Sequence, residues 1–464
     1  MSREAVAAMV ERALARAGGT RFVPGNATRL LLDGPAAYPA MLDAIHRAEG
    51  WVHFENYIIR DDTTGRRFAE ALAARARAGV AVCLLTDWLG SRGLGRRLAA
   101  ELRAAGVELR RFNPPRYLDI LGNVARDHRK LIVTDTNTAI IGGLCIGDEW
   151  AGDAERSVPP WRDTALQLDG PVAMALDHAF EQTWTLAGGR IPPGRHAAEL
   201  PEAGVAEVGV IAGEPRRARI QRIVELLAAG AVDRLWITDA YLVAPRSLFQ
   251  SLLDAARGGV DVRLLVPGAS DLPVIRNLTR IGYRALLQAG VRIFEWDGPM
   301  LHAKTIVADG SWCRVGSSNL NSSSLVGNYE LDVLLHDPGL GAQLEAQFRR
   351  DTAVSAEVEW SPRHAGRTFE RVPPDTPRHD LPAVPSATAH IRRVRERRRR
   401  TSLALRGLAS AAQRSVFGPI ALGLSFLGLL FVVLPRTMAL IVAALCAWLA
   451  VGAGAQAFRR RIDQ

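Results

Sequence analysis

The chain has 464 residues, of which 48% are hydrophobic and 23% are charged. This composition excludes a disordered chain and leaves room for two or three globular domains. The formal charge of +10 is concentrated at one end, because residues 386–464 contain thirteen arginines and only two acids, which amounts to +11. The rest of the chain, at −1, lacks the excess of lysine and arginine that nucleic-acid binding requires.

The four cysteines are scattered along the chain and form no CxxC pair. This argues against a disulfide framework and against a zinc site, so we interpret them as reduced thiols of a protein that faces the cytosol. Charged residues interrupt the apolar positions of the first 20 residues, which predicts a helix there and not a signal peptide.

Two long stretches of the chain repeat the same pattern. The sequence RAGVAVCLL at 77–85 matches RGGVDVRLL at 257–265, and AGVEL at 105–109 matches AGVRI at 289–293. Around them, ENY at 55–57 matches DAY at 239–241, and WRD at 161–163 matches NYE at 328–330. Helix and strand patterns alternate in both copies. We therefore predict an α/β fold with two duplicated domains, at 1–205 and 206–358, related by a pseudo-twofold axis.

Each copy contains one specific motif after its second Gly-Val strand, 19 residues beyond it in the first copy and nine in the second. The first reads His128-Arg-Lys130 and the second His302-Ala-Lys304, each followed by three further strand residues and one more residue before an aspartate. A histidine and a lysine two residues apart on a strand point to the same face. A single HxK is common on surface strands, but two copies within a duplicated domain predict one pocket with two imidazoles and two ammonium groups.

This set of side chains suits phosphodiester transfer without a metal or another cofactor. One imidazole attacks phosphorus, the other protonates the departing alkoxide, and the lysines stabilise the charge that develops on the phosphoryl oxygens. The attacking histidine must be neutral and in the correct tautomer, which a carboxylate at its other nitrogen enforces. Asp163 and Glu330, which occupy matching positions after the two motifs, are the candidates for this orienting role.

Further candidates surround the two motifs. Asp135 and Asp309 end the motif strands, where bracing a loop is the alternative to a role in the site. Glu55 and Asp239 are carboxylates on strand patterns, for which a supporting role and a purely structural one are equally plausible. The phosphate-binding candidates come from the turns GGLC at 142–145 and GSSN at 316–319, where glycine also serves as a turn former; they are Gly143, Ser317 and Asn319.

The C-terminal part has a different character. Residues 359–415 read as a linker that is first rich in proline and then rich in arginine. Residues 416–435 and 437–458 are apolar runs without charge, each long enough to cross a bilayer, with a buried hairpin as the alternative. Arginines flank the pair on both sides, which favours a hairpin with both ends in the cytosol. The arginine run at 392–400 is either a solvated linker or a contact with anionic lipid.

From residue 52 to residue 351, the sequence resembles the phospholipase D superfamily, whose signature is a pair of HKD motifs, and within it the bacterial cardiolipin synthases. The phrases that carry the likeness include DHRK at 127–130, IGDEW at 146–150, PGASD at 267–271 and GPMLHAK at 298–304. The resemblance implies two α/β sandwich domains, no metal, and transfer of a phosphatidyl group to phosphatidylglycerol through a phosphohistidine. It also assigns the catalytic positions, namely His128, Lys130 and Asp135 in the first motif and His302, Lys304 and Asp309 in the second.

Two features depart from the family pattern. Cys145 stands where the first motif usually has asparagine, so a weak thiol donor replaces an amide. The predicted spans lie at the C-terminus, whereas familiar members carry them at the N-terminus or lack them. The resemblance further implies that the first-motif histidine is the nucleophile, which assigns His128 to attack and His302 to the general acid.

The leading hypothesis is a phosphatidyltransferase of the bacterial inner membrane that makes cardiolipin, with its catalytic domains on the cytoplasmic side. Its expected partners are phosphatidylglycerol as substrate and an anionic membrane, without nucleic acid; the donor lipid, the acyl preference and the oligomeric state stay open. A phospholipase D that hydrolyses lipids to phosphatidic acid would carry the same motifs. A nuclease of the superfamily is disfavoured by the near-neutral catalytic region, and a non-catalytic scaffold by the two intact His-Lys pairs.

Overall fold

The computed structural model describes residues 3–115, 124–135, 137–191, 200–360 and 369–372. All of them fall within one compact unit, Met1–Ala387. Within these ranges, no helix has the length and hydropathy needed to cross a membrane. The arginine run at 392–400 and the two predicted spans at 416–435 and 437–458 lie outside the described residues.

The first half of the fold alternates helices and strands, as the sequence predicts. Its helices are α1 Arg3–Gly18, α2 Asp33–Arg47, α3 Thr63–Arg77, α4 Arg96–Ala104, α5 Asp148–Ala151 and α6 Val172–Leu186, with a short 3-10 helix at Gly90–Gly93. Its strands are β1 Phe22–Leu32, β2 Trp51–Asn56, β3 Ala81–Asp87, β4 Glu108–Phe112, β5 Lys130–Thr134, β6 Thr138–Gly142 and β7 Thr164–Asp169.

The second half begins with β8 at residue 206. Its helices are α7 Arg219–Gly230, α8 Arg246–Arg257, α9 Pro273–Ile281, α10 Tyr283–Gln288, α11 Ser322–Gly327 and α12 Pro338–Ala353. Its strands are β8 Ala206–Gly213, β9 Arg234–Asp239, β10 Asp261–Pro267, β11 Arg292–Trp296, β12 Lys304–Ala308, β13 Trp312–Gly316, β14 Glu330–His336, β15 Ser355–Trp360 and β16 Phe369–Val372.

All sixteen of these strands form one mixed sheet. The first half runs in the order β4-β3-β2-β5-β6-β7-β1, and the second half in the order β11-β10-β9-β12-β13-β14-β8. The three strands β2, β3 and β4 are parallel, whereas β5, β6 and β7 are antiparallel, and β9 to β14 repeat that scheme. The two halves join where β1 pairs with β8. The predicted α/β class is confirmed, as a single continuous sheet.

The apolar strand residues pack into separate cores according to which face of the sheet they occupy. Ile132 of β5 belongs to the core of the first half, together with residues from α2, α3 and α4. Its neighbours Leu131 and Val133 point to the other face, as alternation along a strand requires. There they join Val315 of β13 and Val333 of β14 in a core shared by the two halves, which α6 and α12 cover.

The strand directions bring both motifs to corresponding edges of the sheet. Because β5 runs antiparallel to β2, its first residue Lys130 lies beside Asn56, the last residue of β2. In the same way, Lys304 at the start of β12 lies beside Asp239 at the end of β9. The loops that follow β3 and β10 leave the sheet at these same edges, since these strands are parallel to β2 and β9.

Candidate active site

Both motif histidines lie just before their strands and are bound to the other half of the molecule. The backbone N–H of His128 donates to the carbonyl of Tyr329 at 2.9 Å, and the N–H of His302 donates to the carbonyl of Arg162 at 2.7 Å. The sequence predicted a histidine on each strand. The structure instead starts β5 and β12 at the lysines and holds the histidines by these exchanged backbone contacts.

The two imidazoles are oriented by carboxylates from the opposite halves. Nδ1 of His128 lies 3.0 Å from Oε2 of Glu330, and Nδ1 of His302 lies 2.7 Å from Oδ2 of Asp163. Both carboxylates are completely buried. A carboxylate at Nδ1 places the proton of the neutral ring there and leaves Nε2 free to react. The structure thus brings Asp163 and Glu330 to the predicted positions, and it shows that each histidine depends on the partner half.

The two lysines lie buried beside the histidines. Each Nζ donates a hydrogen bond to the backbone carbonyl of the histidine of its own motif. Lys130 also lies above the ring of Tyr57, with Nζ 5.2 Å from the ring centroid. Burial, together with the charge of Lys130, lowers the pKa of Lys304 to about 8. The site therefore holds cationic groups with little hydration. Such groups attract an anionic phosphodiester and stabilise its charge.

Burial favours the neutral form of both imidazoles. It lowers the pKa of His128, and together with the charge of Lys304 it lowers the pKa of His302 to about 3. Both rings are therefore uncharged at neutral pH in the unliganded site, as a nitrogen nucleophile requires.

The surroundings of the two orienting carboxylates differ. Asp163 accepts a hydrogen bond from Nε1 of Trp150 at 3.1 Å and another from its neighbouring backbone N–H. Glu330 accepts hydrogen bonds from the hydroxyls of Ser317 and Ser324. Ser317, predicted to bind phosphate, is completely buried and holds Glu330 instead. Its hydroxyl serves the carboxylate in this structure, and binding of phosphate by Ser317 stays a prediction.

Gly143 was also predicted to bind phosphate, and the structure gives it another role. Its N–H already donates to the carbonyl of Thr164 at 3.0 Å. A Cβ at this position would lie 2.1 Å from Oδ1 of Asp163. The absence of a side chain therefore leaves room for the carboxylate that orients His302.

Asp135 and Asp309 do not lie with the histidines. They follow the far ends of β5 and β12, and their carboxylates accept hydrogen bonds from backbone N–H groups of the loops that lead into β2 and β9. For Asp309 these bonds measure 2.8, 2.9 and 3.0 Å. The structure thus favours loop bracing, the alternative raised from the sequence, because four strand residues separate each aspartate from its lysine.

Glu55 and Asp239 are not equivalent, although the sequence match pairs them. Asp239 lies beside Lys304, whereas the residue beside Lys130 is Asn56. Glu55 points to the other face of β2, where the hydroxyl of Thr183 donates to it at 2.5 Å. Burial raises the pKa of Asp239 to about 6, and its carboxylate receives the N–H of Leu320. Of these two carboxylates, Asp239 is therefore the one that lies beside a motif lysine in the sheet.

The predicted amide donor and its replacement occupy the turns after β6 and β13. Asn319 is almost fully buried, and its Oδ1 has no hydrogen-bond partner within the described ranges. Cys145 is equally buried, and burial raises the pKa of its thiol. A phosphoryl oxygen needs a donor, which in Asn319 is the Nδ2 amide, and binding of phosphate by Asn319 stays a prediction. The thiol at 145 offers a much weaker donor.

Aromatic rings surround the histidines. The ring of Tyr57 meets that of His128 edge-on at 4.8 Å between centroids, and Tyr241 meets His302 at 6.0 Å. Trp150 and Trp161 lie 5.5 and 6.0 Å from His302. The signal was present in the matched sequences ENY and DAY, whose tyrosines repeat at the same place in both halves.

Comparison with known proteins shows the family to which the chain is related. Residues 223–352 match the family described as cardiolipin synthase, PLD-like domain. Cardiolipin synthase A of Pseudomonas fluorescens (strain SBW25) is 32% identical over 364 residues, which are 78% of this chain and 76% of that protein. Cardiolipin synthase 2 of Bacillus anthracis is 32% identical over 351 residues, covering 74% of this chain and 68% of the relative.

The chain belongs to the cardiolipin synthase family of the phospholipase D superfamily. The predicted membership in this family of phosphatidyltransferases is thereby confirmed. Among solved structures, phosphatidylserine synthase of Haemophilus influenzae Rd KW20 matches with a TM-score of 0.60 and 16% identity, over 75% of this chain and 92% of that one. Polyphosphate kinase of Porphyromonas gingivalis matches with a TM-score of 0.51 and 15% identity, over 81% and 53%. At these identities the likeness establishes the fold alone.

Proposed function

We propose that this protein is a membrane-bound phosphatidyltransferase that makes cardiolipin by transferring a phosphatidyl group to phosphatidylglycerol. The observation that carries the proposal is the pair of imidazoles, each held at Nδ1 by a carboxylate of the opposite half, with two buried lysines beside them. The family relatives named for cardiolipin synthesis support the substrate class.

The proposed reaction has two steps. The first step begins once His302 has taken up a proton from solvent as the substrate binds. Nε2 of His128 then attacks phosphorus, the bond to the donor's alcohol breaks, and His302 gives this proton to the departing oxygen. This leaves a phosphatidyl group on His128 and a neutral His302. In the second, a glycerol hydroxyl of phosphatidylglycerol gives its proton to His302 and attacks phosphorus, and the N–P bond to His128 breaks. Lys130 and Lys304 stabilise the charge on the phosphoryl oxygens in both steps.

The distances between the carboxylates and the imidazoles support this division of labour. Each carboxylate also accepts two further hydrogen bonds, so these bonds do not distinguish the two. Asp163 lies closer to its imidazole, at 2.7 Å against 3.0 Å. When a phosphodiester offsets the charge of the lysines, the pKa of His302 rises and the proton is stabilised there. His128 then remains the neutral nucleophile.

The repeated strand order supports a second part of the proposal, that the fold arose by duplication of one domain into copies at 1–205 and 206–358. Residues 359–415 would form the linker and 416–458 the pair of membrane spans. We place the enzyme in the bacterial inner membrane with its catalytic halves on the cytoplasmic side, on the strength of the arginines that flank both spans.

The test is to incubate the purified full chain with phosphatidylglycerol micelles in the presence of a metal chelator and to analyse the lipids. We expect cardiolipin and glycerol in equal amounts. A control variant, His46→Ala, lacks an exposed histidine that is distant in sequence from both motifs, and it should give the same products. Phosphatidic acid as the main product would replace the proposal with a hydrolase, and the absence of both products would refute it.

A further inference from the structure

Helix α9 has its polar and apolar faces reversed relative to a helix that packs on a protein core. None of its residues is buried. Its outer face carries Val274, Leu278 and Ile281 at the spacing of one helical face, exposed by 70%, 43% and 76%, and Leu272, which precedes the helix, is 48% exposed. Soluble surfaces carry single exposed apolar residues commonly, but an apolar stripe of this kind marks a contact surface.

The inner face of α9 is held by two arginines. Nε and Nη2 of Arg280 lie 2.8 and 2.7 Å from the two carboxylate oxygens of Glu295, a residue that is 1% exposed. Nη1 of Arg276 donates to the carbonyl of Gly268. Such a bidentate pair fixes the rotation of the helix. The apolar stripe is therefore held outward by the fold.

The stripe lies next to the catalytic edge of the sheet. Leu272 follows the loop after β10, whose carboxyl end lies at the same edge as the end of β9 and the start of β12. The hydroxyl of Tyr241, the tyrosine beside His302, donates to Asp271 at 2.8 Å. On the pseudo-equivalent loop after β3, Leu89 is also exposed.

We infer that the stripe formed by Leu272, Val274, Leu278 and Ile281 inserts into the surface of the lipid bilayer and sets the mouth of the active site against the lipid headgroups. This inference rests on the proposed function, because a phosphodiester at a bilayer surface reaches His302 only if this edge approaches the membrane. Charge agrees with that partner, since residues 273–288 contain three arginines and no acid, although Glu295 offsets the charge of Arg280. A basic amphipathic helix with an exposed apolar face is the ordinary means of lying in a bilayer interface.

The test uses the full chain reconstituted into vesicles of phosphatidylglycerol and phosphatidylethanolamine. A bimane label is attached at Leu278→Cys or, as the matched control, at Val232→Cys, which is exposed at the opposite end of β9. Both are made in a Cys446→Ala background, in which the remaining cysteines are buried. Lipids with a nitroxide near the glycerol backbone should quench the label at 278 at least twofold and leave the label at 232 unaffected. Equal quenching at the two positions would overturn the inference.

A second measurement separates this inference from the proposed function. The triple variant V274S/L278S/I281S should be at least fivefold less active than the wild type on vesicles. On dispersed short-chain phosphatidylglycerol the two should be equally active. Equal loss on both substrates, or no loss on either, would overturn the inference. The stripe would instead contact a second copy of the chain if lipid did not quench the label at 278 and the triple variant had a different oligomeric state from the wild type. That result would also overturn the inference. If the wild-type chain makes no cardiolipin, the quenching still decides whether α9 meets lipid.

Discussion

At the scale of single residues, the site depends on two carboxylates, each of which orients a histidine of the opposite half. The amide of glutamine can accept the N–H of His128 at the same place, but it carries no charge to stabilise the imidazolium state. We expect Glu330→Gln and Asp163→Asn each to lower kcat by about 10² to 10⁴, which is the usual contribution of a positioned acid or base. Steady-state assays with phosphatidylglycerol measure it, and a KM change without loss of kcat would contradict the assigned role.

Asp309 provides the opposite expectation, since it braces a loop far from the histidines. Asp309→Ala removes three hydrogen bonds from backbone N–H groups of residues 232–234. We predict a loss of about 2 kcal/mol in the free energy of unfolding, because these donors lose their partner. Thermal or urea unfolding measures this loss. The kcat of the folded variant should stay close to that of the wild type, and a large fall would return Asp309 to the catalytic group.

Lys304 sets the expected pH dependence. Its pKa of about 8 means that the ammonium in the free enzyme loses its charge as the pH rises through 8. The value of kcat/KM should therefore fall above pH 8. The kcat profile should fall at higher pH, since bound phosphodiester stabilises the charge. Lys304→Arg, whose side chain stays charged, should lack the limb near pH 8 at whatever activity remains, and an unchanged limb would assign it to another group.

At the scale of elements, the sequence predicted the alternating helices and strands, the two motif strands and the turns that follow them. The apolar runs LIV and TIV predict β5 and β12 because their residues fill the cores on both faces of the sheet. The sequence match aligns Asp239 with Glu55, whereas in the sheet Asp239 takes the place beside Lys304 that Asn56 takes beside Lys130. This difference was not predictable, because register depends on the length of turns that the sequence match does not resolve. The outward stripe of α9 was equally hidden, since periodicity alone assigns an apolar face to the core.

The turn after β6 offers a test of packing at this scale. Gly143→Ala places a Cβ against the carboxylate of Asp163, which must then move away from His302. We expect kcat to fall by at least about 10², because a shift of about 1 Å in a catalytic group has that effect. Gly230→Ala is the matched control, since a Cβ there would meet no atom within 4 Å. Similar activities of the two variants would show that the turn tolerates a side chain.

At the scale of the whole molecule, one sheet and a shared core hold the two halves in the arrangement that makes one site. Leu131 and Val133 of the first half pack with Val315 and Val333 of the second in one buried cluster. The paired motifs predicted that the two halves would supply a common pocket. The exchange of carboxylates between halves could not be predicted, since Asp163 and Glu330 carry no sequence mark of which histidine they serve.

The phosphatidyl group on a histidine is the intermediate on which the whole account depends. It can be trapped by mixing enzyme and phosphatidylglycerol, quenching in denaturant at alkaline pH, where N–P bonds survive, and analysing the peptides by mass spectrometry. A donor with an acidic leaving group, such as a nitrophenyl ester of phosphatidic acid, needs no proton from His302. The account predicts the adduct on His128 in the wild type, its persistence in His302→Ala with that donor, and its absence in His128→Ala. An adduct on His302 in the wild type, or none on either histidine during turnover, would contradict it.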